Sequence, residues 1–527
     1  MKKQSVFILA GCMMALPFVI APFTPAIGKE KAKKPAGEVV MVSQQSTFEM
    51  RKAFDPHTAF GATSTTLNSM VFDGLVVKDA ATGAFQPSLA ESWNIAKDWS
   101  SISFKLRKGV KFHNGDPLTA KDVKFSIERM MREDMKNSIG FDLRKNISKV
   151  EIVDDFNVNV LLKEPNPAFF ATFLERCFEF LAIVPKDYVE KVGDDGFAAK
   201  PIGAGPFRIL KFERDVSFDV EAVENHHRKT PDVKTLRYKF VPEHSTRLAM
   251  LKTGEADFIA LYLTHIPLLL KDPDIKIVWS RDTYCVTLVF HDLAHPEDSP
   301  FKNPLVRKAT SLAIDRKGIA DVIGNGTMEP WGSFLAPYHL GFDTKRNKPD
   351  PYNPAEAKKL LTQAGYPNGF DTVLTYTSTQ KERFEAIAQQ LRDVGIRCKM
   401  DMLEGGTWSA SFVAGRLRGI GFGSGPWWSG RSHPAGALQS HITGIWSHKL
   451  ATPAIIKAME DTERAIGNKE IAAAAKKLDE TIIEANIRLP LWSIHVPFAM
   501  RKTIESYTPM PGFIFPMGFE SLKLRGK

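Results

Sequence analysis

The chain is 527 residues long, with 43% hydrophobic and 25% charged residues and a formal net charge of +10. That length exceeds one ordinary hydrophobic core, and the balance of apolar and charged residues excludes a disordered or a membrane-embedded chain. No fixed-period repeat or low-complexity tract runs through it, which excludes a solenoid or a fibre.

At the N-terminus, Lys2-Lys3, a nearly uninterrupted apolar run from Val6 to Phe23 and then Thr24-Pro25-Ala26 have the charge, length and small-residue end of a secretory signal, so residues 1–26 are expected to direct export. Three prolines (Pro17, Pro22 and Pro25) and an apolar run shorter than the ~20 residues a spanning helix needs argue against a membrane anchor. Leu9-Ala10-Gly11-Cys12 resembles a lipoprotein-processing box. Only Val6 to Leu9 precede it as an apolar stretch, so a free periplasmic protein is expected over one tethered at Cys12. Residues 27–37, with their lysines, Pro35 and Gly37, read as a solvated linker. Residues 1–34 hold six lysines against Glu30, which leaves the body of the chain at only +5, and its basic residues are scattered without aromatic interleaving. No nucleic-acid partner is expected.

From residue 36 to about 240, short alternating segments such as Ser103 to Arg107 and Phe156 to Leu162, stopped by Gly109 and by Pro165, read as strands with one buried face. Thr119 caps a helix with Asp122 at the reciprocal position and Val123, Ile127 and Met130 on one face. From Tyr284 longer helices alternate with strands. Asn303-Pro304 opens a helix striped by Leu305, Ala309, Leu312 and Ala313, and Asn353-Pro354 opens another that ends at Gly365. Phe384, Ile387, Ala388 and Leu391 stripe a third helix, stopped by Gly395 before an alternating strand from Ile396 to Met402. A last long helix runs from Asn468 to Ala485, followed by a strand-like segment from Leu489 to Ala499. This rhythm predicts an α/β chain in two lobes: a strand-rich lobe I over 38–283, an α/β lobe II over 284–493, and a return to lobe I over 494–527. Two crossovers make a hinge, and the cleft between hinged lobes is the natural place for ligand capture. Beyond the signal only Cys177, Cys285 and Cys398 remain, with no metal-ligand or redox spacing, so no disulfide framework is expected and at least one is unpaired.

Several stretches together resemble one family, the bacterial solute-binding proteins of the dipeptide, oligopeptide and nickel type, or family five. They are Phe72-Asp73-Gly74-Leu75, Pro87 to Trp93, Phe104 to Gly115 with Leu118 to Val123, Pro201-Ile202-Gly203-Ala204-Gly205-Pro206-Phe207, Leu251 to Asp257, Val306 to Ala309 with Ala313 to Arg316, and Asn353 to Ala357. Read physically, the glycines among them supply backbone freedom for turns and tight loops, and these motifs shape the fold rather than touch ligand. The resemblance implies a two-lobed periplasmic-binding-protein fold of the large cluster-C type, a ligand enclosed on closure, and delivery to an ABC permease in the inner membrane driven by a separate ATPase. A monomer without cofactor is expected. The chain has no phosphate-binding Gly-Lys-Ser/Thr loop, so ATP hydrolysis is not its own work.

Peptide-binding members of the family hold the ligand's ammonium with an Asp after a Gly-aromatic pair; here that stretch reads Gly421-Phe422-Gly423-Ser424-Gly425-Pro426-Trp427-Trp428-Ser429-Gly430-Arg431, and no acid lies between Glu404 and Glu460. The dipeptide-type Arg is expected before the helix at Phe384, where Tyr376 to Thr379 carry no charge. The ligand is therefore expected to be a peptide or peptide-like solute, or an aromatic or apolar one. Phe422, Ser424, Trp427, Trp428 and Arg431 are the candidate contacts from lobe II, with core or hinge packing as the alternative role of the rings. Phe48, Thr63 and Ser64 are the candidates from lobe I. His433, His441 and His448 are spaced unlike metal ligands and read as solvated loop histidines, so no metal is expected. The competing readings are an exported hydrolase and a receptor-linked sensor or chaperone using the same cleft. Ser424 lacks the glycines two positions away on either side that a nucleophile elbow requires, no His-Glu-x-x-His motif occurs, and no enzyme activity is expected.

Overall fold

The computed structural model of the protein describes residues 34–43, 54–58, 62–79, 84–135, 138–179, 181–213, 216–295, 297–425, 433–442, 451–509 and 516–525. The signal and most of the linker therefore lie outside the described residues.

Alternating apolar residues place eleven strands in one mixed sheet. From one edge its order is Ile396–Leu403, Phe370–Thr377, Ile420–Gly425, Ile275–Phe290, Arg488–Arg501, Phe258–Ala260, Ala36–Ser43, Val233–Phe240, Ser217–Ala222 and Phe207–Glu213, with Met328–Pro330 added beside Arg488–Arg501. Two of these strands are far longer than the rest. Ile275–Phe290 and Arg488–Arg501 pair antiparallel along most of their length, but Ser280 faces Val496 while Tyr284 faces Ile494, so the register breaks between them. Such a bulge bends and twists the pair locally. On one side of it the strands contribute Val286, Leu288, Leu489, Trp492 and Ile494 to one hydrophobic core. On the other, Phe498 and Met500 join a core with Val39, Phe72 and Phe258, and Ile275 and Ala499 join one with Val42 and Leu251. The two lobes share these strands and keep separate cores.

A second, four-stranded antiparallel sheet (Ala90–Ile95, Ser101–Leu106, Asn157–Leu162, Ile147–Asp154) builds an outlying part of lobe I. Its core includes Phe104, Val123, Ile127, Met130 and Val158, the residues whose alternation and helical spacing pointed inward. The helix Ala120–Met130 starts as its sequence predicts: the Thr119 N–H donates to Asp122 Oδ2 at 2.9 Å, and Asp122 Oδ1 also accepts from the Lys186 N–H, tying two helices together.

In lobe II, Asn303 caps the helix Pro304–Leu312 by accepting from the Leu305 N–H at 3.0 Å, and Asn353 caps Pro354–Gln363 by accepting from Glu356. Ala309, Leu312 and Ala313 of the predicted stripe are buried, and only Leu305 departs from it. Leu305, in the first turn, is exposed, and Val306 takes the buried position against the lobe II core. The family-type arginines satisfy backbone carbonyls. Arg307 donates to Phe301, Lys302, Ala485 and Asn486, and Arg316 to Pro490 and Ser311, joining the helices to the second long strand. Cys177, Cys285 and Cys398 are buried free thiols.

Gly203 and Gly205 have ordinary backbone angles, so conformational freedom is not why they are glycine. A Cβ at Gly203 would lie 2.0 Å from the Val71 carbonyl oxygen and one at Gly205 2.5 Å from the Val71 carbonyl carbon. The loop lies flat on the end of the helix Ala62–Val71, with the Gly205 N–H donating to Val71 at 2.8 Å.

Candidate ligand cleft

The strand Ile420–Gly425, parallel to Phe370–Thr377, ends beside the register break, where Gly425 pairs with Cys285. The chain then turns from Thr377 through Ser378–Gln380 into the helix Lys381–Asp393. Between this turn and lobe I lies a cavity of about 110 Å³, lined from lobe I by Tyr262 and from lobe II by Ile323 and residues 378–383. Its lobe II wall is rich in hydrogen-bonding groups and charge. Thr377 and Thr379 hydroxyls meet at 3.1 Å, Arg383 Nη1 donates to Gln380 Oε1 at 2.9 Å, and Arg383 Nε sits 3.2 Å from Met328 Sδ on the strand beside Arg488–Arg501. Lys381 and Glu382 add one cation and one anion at the rim.

The lobe I wall is aromatic. Tyr262 follows the strand Phe258–Ala260 and stacks on His244 with ring centroids 4.1 Å apart and planes 14° apart; His265 meets Tyr262 edge-on. Burial, the nearby Arg247 guanidinium and His265 hold His244 below the usual histidine range, which keeps it a neutral stacking partner. An aromatic face opposite a hydroxyl and guanidinium wall suits a solute with an apolar body and polar ends.

The sequence-predicted contacts fall differently. Phe422 is buried in the lobe II core, edge-on to Phe384 at 5.9 Å and against Trp408 at 5.2 Å, so its ring supports the wall rather than forming it. Ser424 lies on the strand Ile420–Gly425, opposite Val286, and Thr63 on the helix Ala62–Val71. Ser64 is fully buried on that helix, with its hydroxyl lacking a hydrogen-bond partner. Phe48, Trp427, Trp428 and Arg431 lie outside the described residues. His433, read as a solvated loop histidine, is buried: its Nδ1 accepts from the Ala435 N–H at 3.3 Å, and burial pushes its pKa down to about 4.

Tyr262 and Arg383 were not singled out in the sequence. For Arg383 a signal existed. It stands four residues before Ile387 and eight before Leu391, which puts a guanidinium on the buried stripe of its helix.

Two lobes sharing a pair of long, bulged strands and facing one another across a polar cavity define a solute-binding protein of the kind that serves ABC importers. The chain belongs to the bacterial extracellular solute-binding proteins, family 5, whose middle-region model matches residues 84–439. The glutathione-binding protein GsiB of Pectobacterium atrosepticum is 30% identical over 376 residues, 70% of each chain. Among solved structures, the ABC transporter-associated periplasmic binding protein DppA of Helicobacter pylori, in complex with the peptide STSA, superposes with a TM-score of 0.80 at 25% identity, covering 93% of this chain and 98% of that one. The binding protein AgaA of A. tumefacien R10, in complex with agropinic acid, does so with a TM-score of 0.79 at 25% identity over 93% and 99%. Family members are binding proteins, not enzymes, and the relatives support import over hydrolysis or sensing.

Proposed function

We propose that the protein captures a short peptide or peptide-like solute between its lobes in the periplasm and presents it to a membrane permease powered by a separate ATPase. The observation that carries this reading is the position of the cavity, lined by Tyr262 from one lobe and residues 378–383 from the other, beside the break in the two shared strands. That break supports lobe boundaries near 283/284 and 493/494, with residues 281–283 and His495 absorbing the rotation as the lobes close. With no acid between Glu404 and Glu460, the ligand's ammonium is not clamped from that segment. Arg383 instead offers a cation for a carboxylate, and Tyr262 an apolar face.

Calorimetric titration with reduced glutathione, di- to pentapeptides and agropinic acid tests the reading. Tyr262→Ala and Arg383→Ala are each expected to weaken the best solute at least about tenfold, or ~1.4 kcal/mol. Unchanged affinity in both variants would move the site away from this cavity.

A further inference from the structure

Among the described residues, one group of metal-ligating side chains converges, and it shares no residue with the solute cavity: Asp73, His226 and His227, whose donor atoms all lie within 4.8 Å of one another. The chain builds it from two motifs. Asp73 follows the helix Ala62–Val71 in the Phe72-Asp73-Gly74-Leu75 turn. His226 and His227 follow the strand Ser217–Ala222, where Asn225 takes a left-handed conformation with φ 57° and the tight turn brings both rings to one side, 4.1 Å apart. In an extended chain adjacent side chains point to opposite faces, so this convergence needs the turn.

We propose that Asp73, His226 and His227 bind a divalent transition metal ion of the zinc type on lobe I. His226 Nε2 and His227 Nε2 lie 3.1 and 2.9 Å from Asp73 Oδ2, and the three side chains are 3%, 11% and 5% exposed in that order. Metal–ligand bonds of about 2.0–2.1 Å in a tetrahedron put neighbouring donors about 3.3 Å apart, so small side-chain rotations suffice to admit an ion. The His227 Nε2 atom is buried and faces Asp73 Oδ2 at 2.9 Å. Two imidazoles with one carboxylate suit zinc or nickel better than magnesium or calcium.

The surroundings orient the ligands. Arg228 Nη2 donates to Asp73 Oδ1 at 2.7 Å and its Nη1 to Glu520 at 2.7 Å, which fixes the carboxylate beside the two imidazoles. Arg228 Nε also donates to Oδ2 at 3.3 Å, so a metal ion would share that oxygen with the guanidinium, whose charge Glu520 offsets. His226 Nε2 also lies 3.1 Å from the Ala204 carbonyl oxygen, and loading exchanges that hydrogen bond for a metal bond. A cavity of about 550 Å³, lined by His113, Glu221 and Glu224 as well as the two histidines, gives the ion an entry path and room for a fourth, water ligand.

Titration of the tag-free mature protein with Co²⁺ alone, followed by Zn²⁺ competition, tests the site. The expected result is one equivalent of cobalt with the visible absorption of a four-coordinate ion, displaced by zinc, and loss of that band with at least tenfold weaker zinc binding in His227→Ala. Should His227→Ala fail to fold by circular dichroism, His226→Gln, which keeps side-chain bulk and a donor for Ala204, is expected to lose the band in the same way. A wild-type protein with no stoichiometric cobalt, or folded variants that bind as it does, would overturn the proposal.

Discussion

Gly74→Ala is expected to leave little or no folded protein. A Cβ at residue 74 would lie 1.5 Å from the carbonyl oxygen of Cys177 and 2.7 Å from its carbonyl carbon, both backbone atoms of the helix Pro167–Glu179. No rotamer change relieves such a clash; the helix or the Phe72–Leu75 segment has to move. The Ile183 N–H is bonded to Asp73 and the Leu89 N–H to Gly74, so moving the segment also breaks those bonds. Overpacking alone usually costs 1–3 kcal/mol, and a backbone clash adds to that, so a loss above ~3 kcal/mol is predicted. Gly115→Ala is the control. Its φ is +93°, but nothing lies within 4 Å of the added methyl group, so only the strain of a left-handed alanine, ~1 kcal/mol, is expected. Urea denaturation of the two variants gives the comparison, and equal stabilities would contradict the geometry.

Arg129→Met should cost about 3–5 kcal/mol, because it strands a buried carboxylate. The Arg129 side chain is fully buried and pairs with both oxygens of Asp55, at 3.1 and 2.5 Å, while its Nε donates to Asp194 at 3.0 Å. It thereby ties the helix Ala120–Met130 to the segment before the helix Ala62–Val71 and to the helix Lys186–Ala199. Adding Asp55→Asn removes the stranded charge and should recover part of the loss in a double-mutant cycle. Arg129 Nη1 also donates to His57 Nδ1 at 2.9 Å, so the His57 proton sits on Nε2, which donates to the Ala182 carbonyl at 2.8 Å. Burial, with Asp55 opposing and Arg129 assisting, pushes the His57 pKa down to about 4. The folded state thus binds this proton less readily than the unfolded state, whose histidine titrates near 6.5. Stability is then fully present above pH ~6.5 and is lost as pH falls toward 4, with His57 alone accounting for about 3 kcal/mol of the decline. In His57→Gln the denaturation midpoint should vary less over that window; an unaltered slope would mean that the imidazole is not held neutral.

Much of the scaffold was legible because local rules and tertiary packing agree. Asn303 and Asn353 cap the helices they precede, the Thr119 and Asp122 pair closes its capping box, and Val158 and Val160 alternate into the core as their strand pattern requires. The reason for Gly203 and Gly205 was not legible, since a glycine chosen for space and one chosen for a positive φ look the same in a sequence. Leu305 misled because an apolar residue beside Pro304 fits a helical stripe in either of two phases, and only packing selects Val306.

The site was read less well. Phe422 carries the local pattern of a ligand ring, yet packing against Phe384 and Trp408 claims it for the core. Tyr262 sits after a three-residue strand with no motif around it, and its role arises only because the sheet brings it opposite residue 380, more than a hundred positions away. His226 and His227 are adjacent, a spacing that signals no metal site without Asp73, which is brought to them by the fold.

The central claim, that a solute is captured by closure of the two lobes about their shared strands, is tested most directly by small-angle X-ray scattering of the mature protein with and without a saturating solute found by calorimetry. The account predicts a smaller radius of gyration on saturation. A solute that binds tightly and leaves the scattering curve unchanged would contradict it.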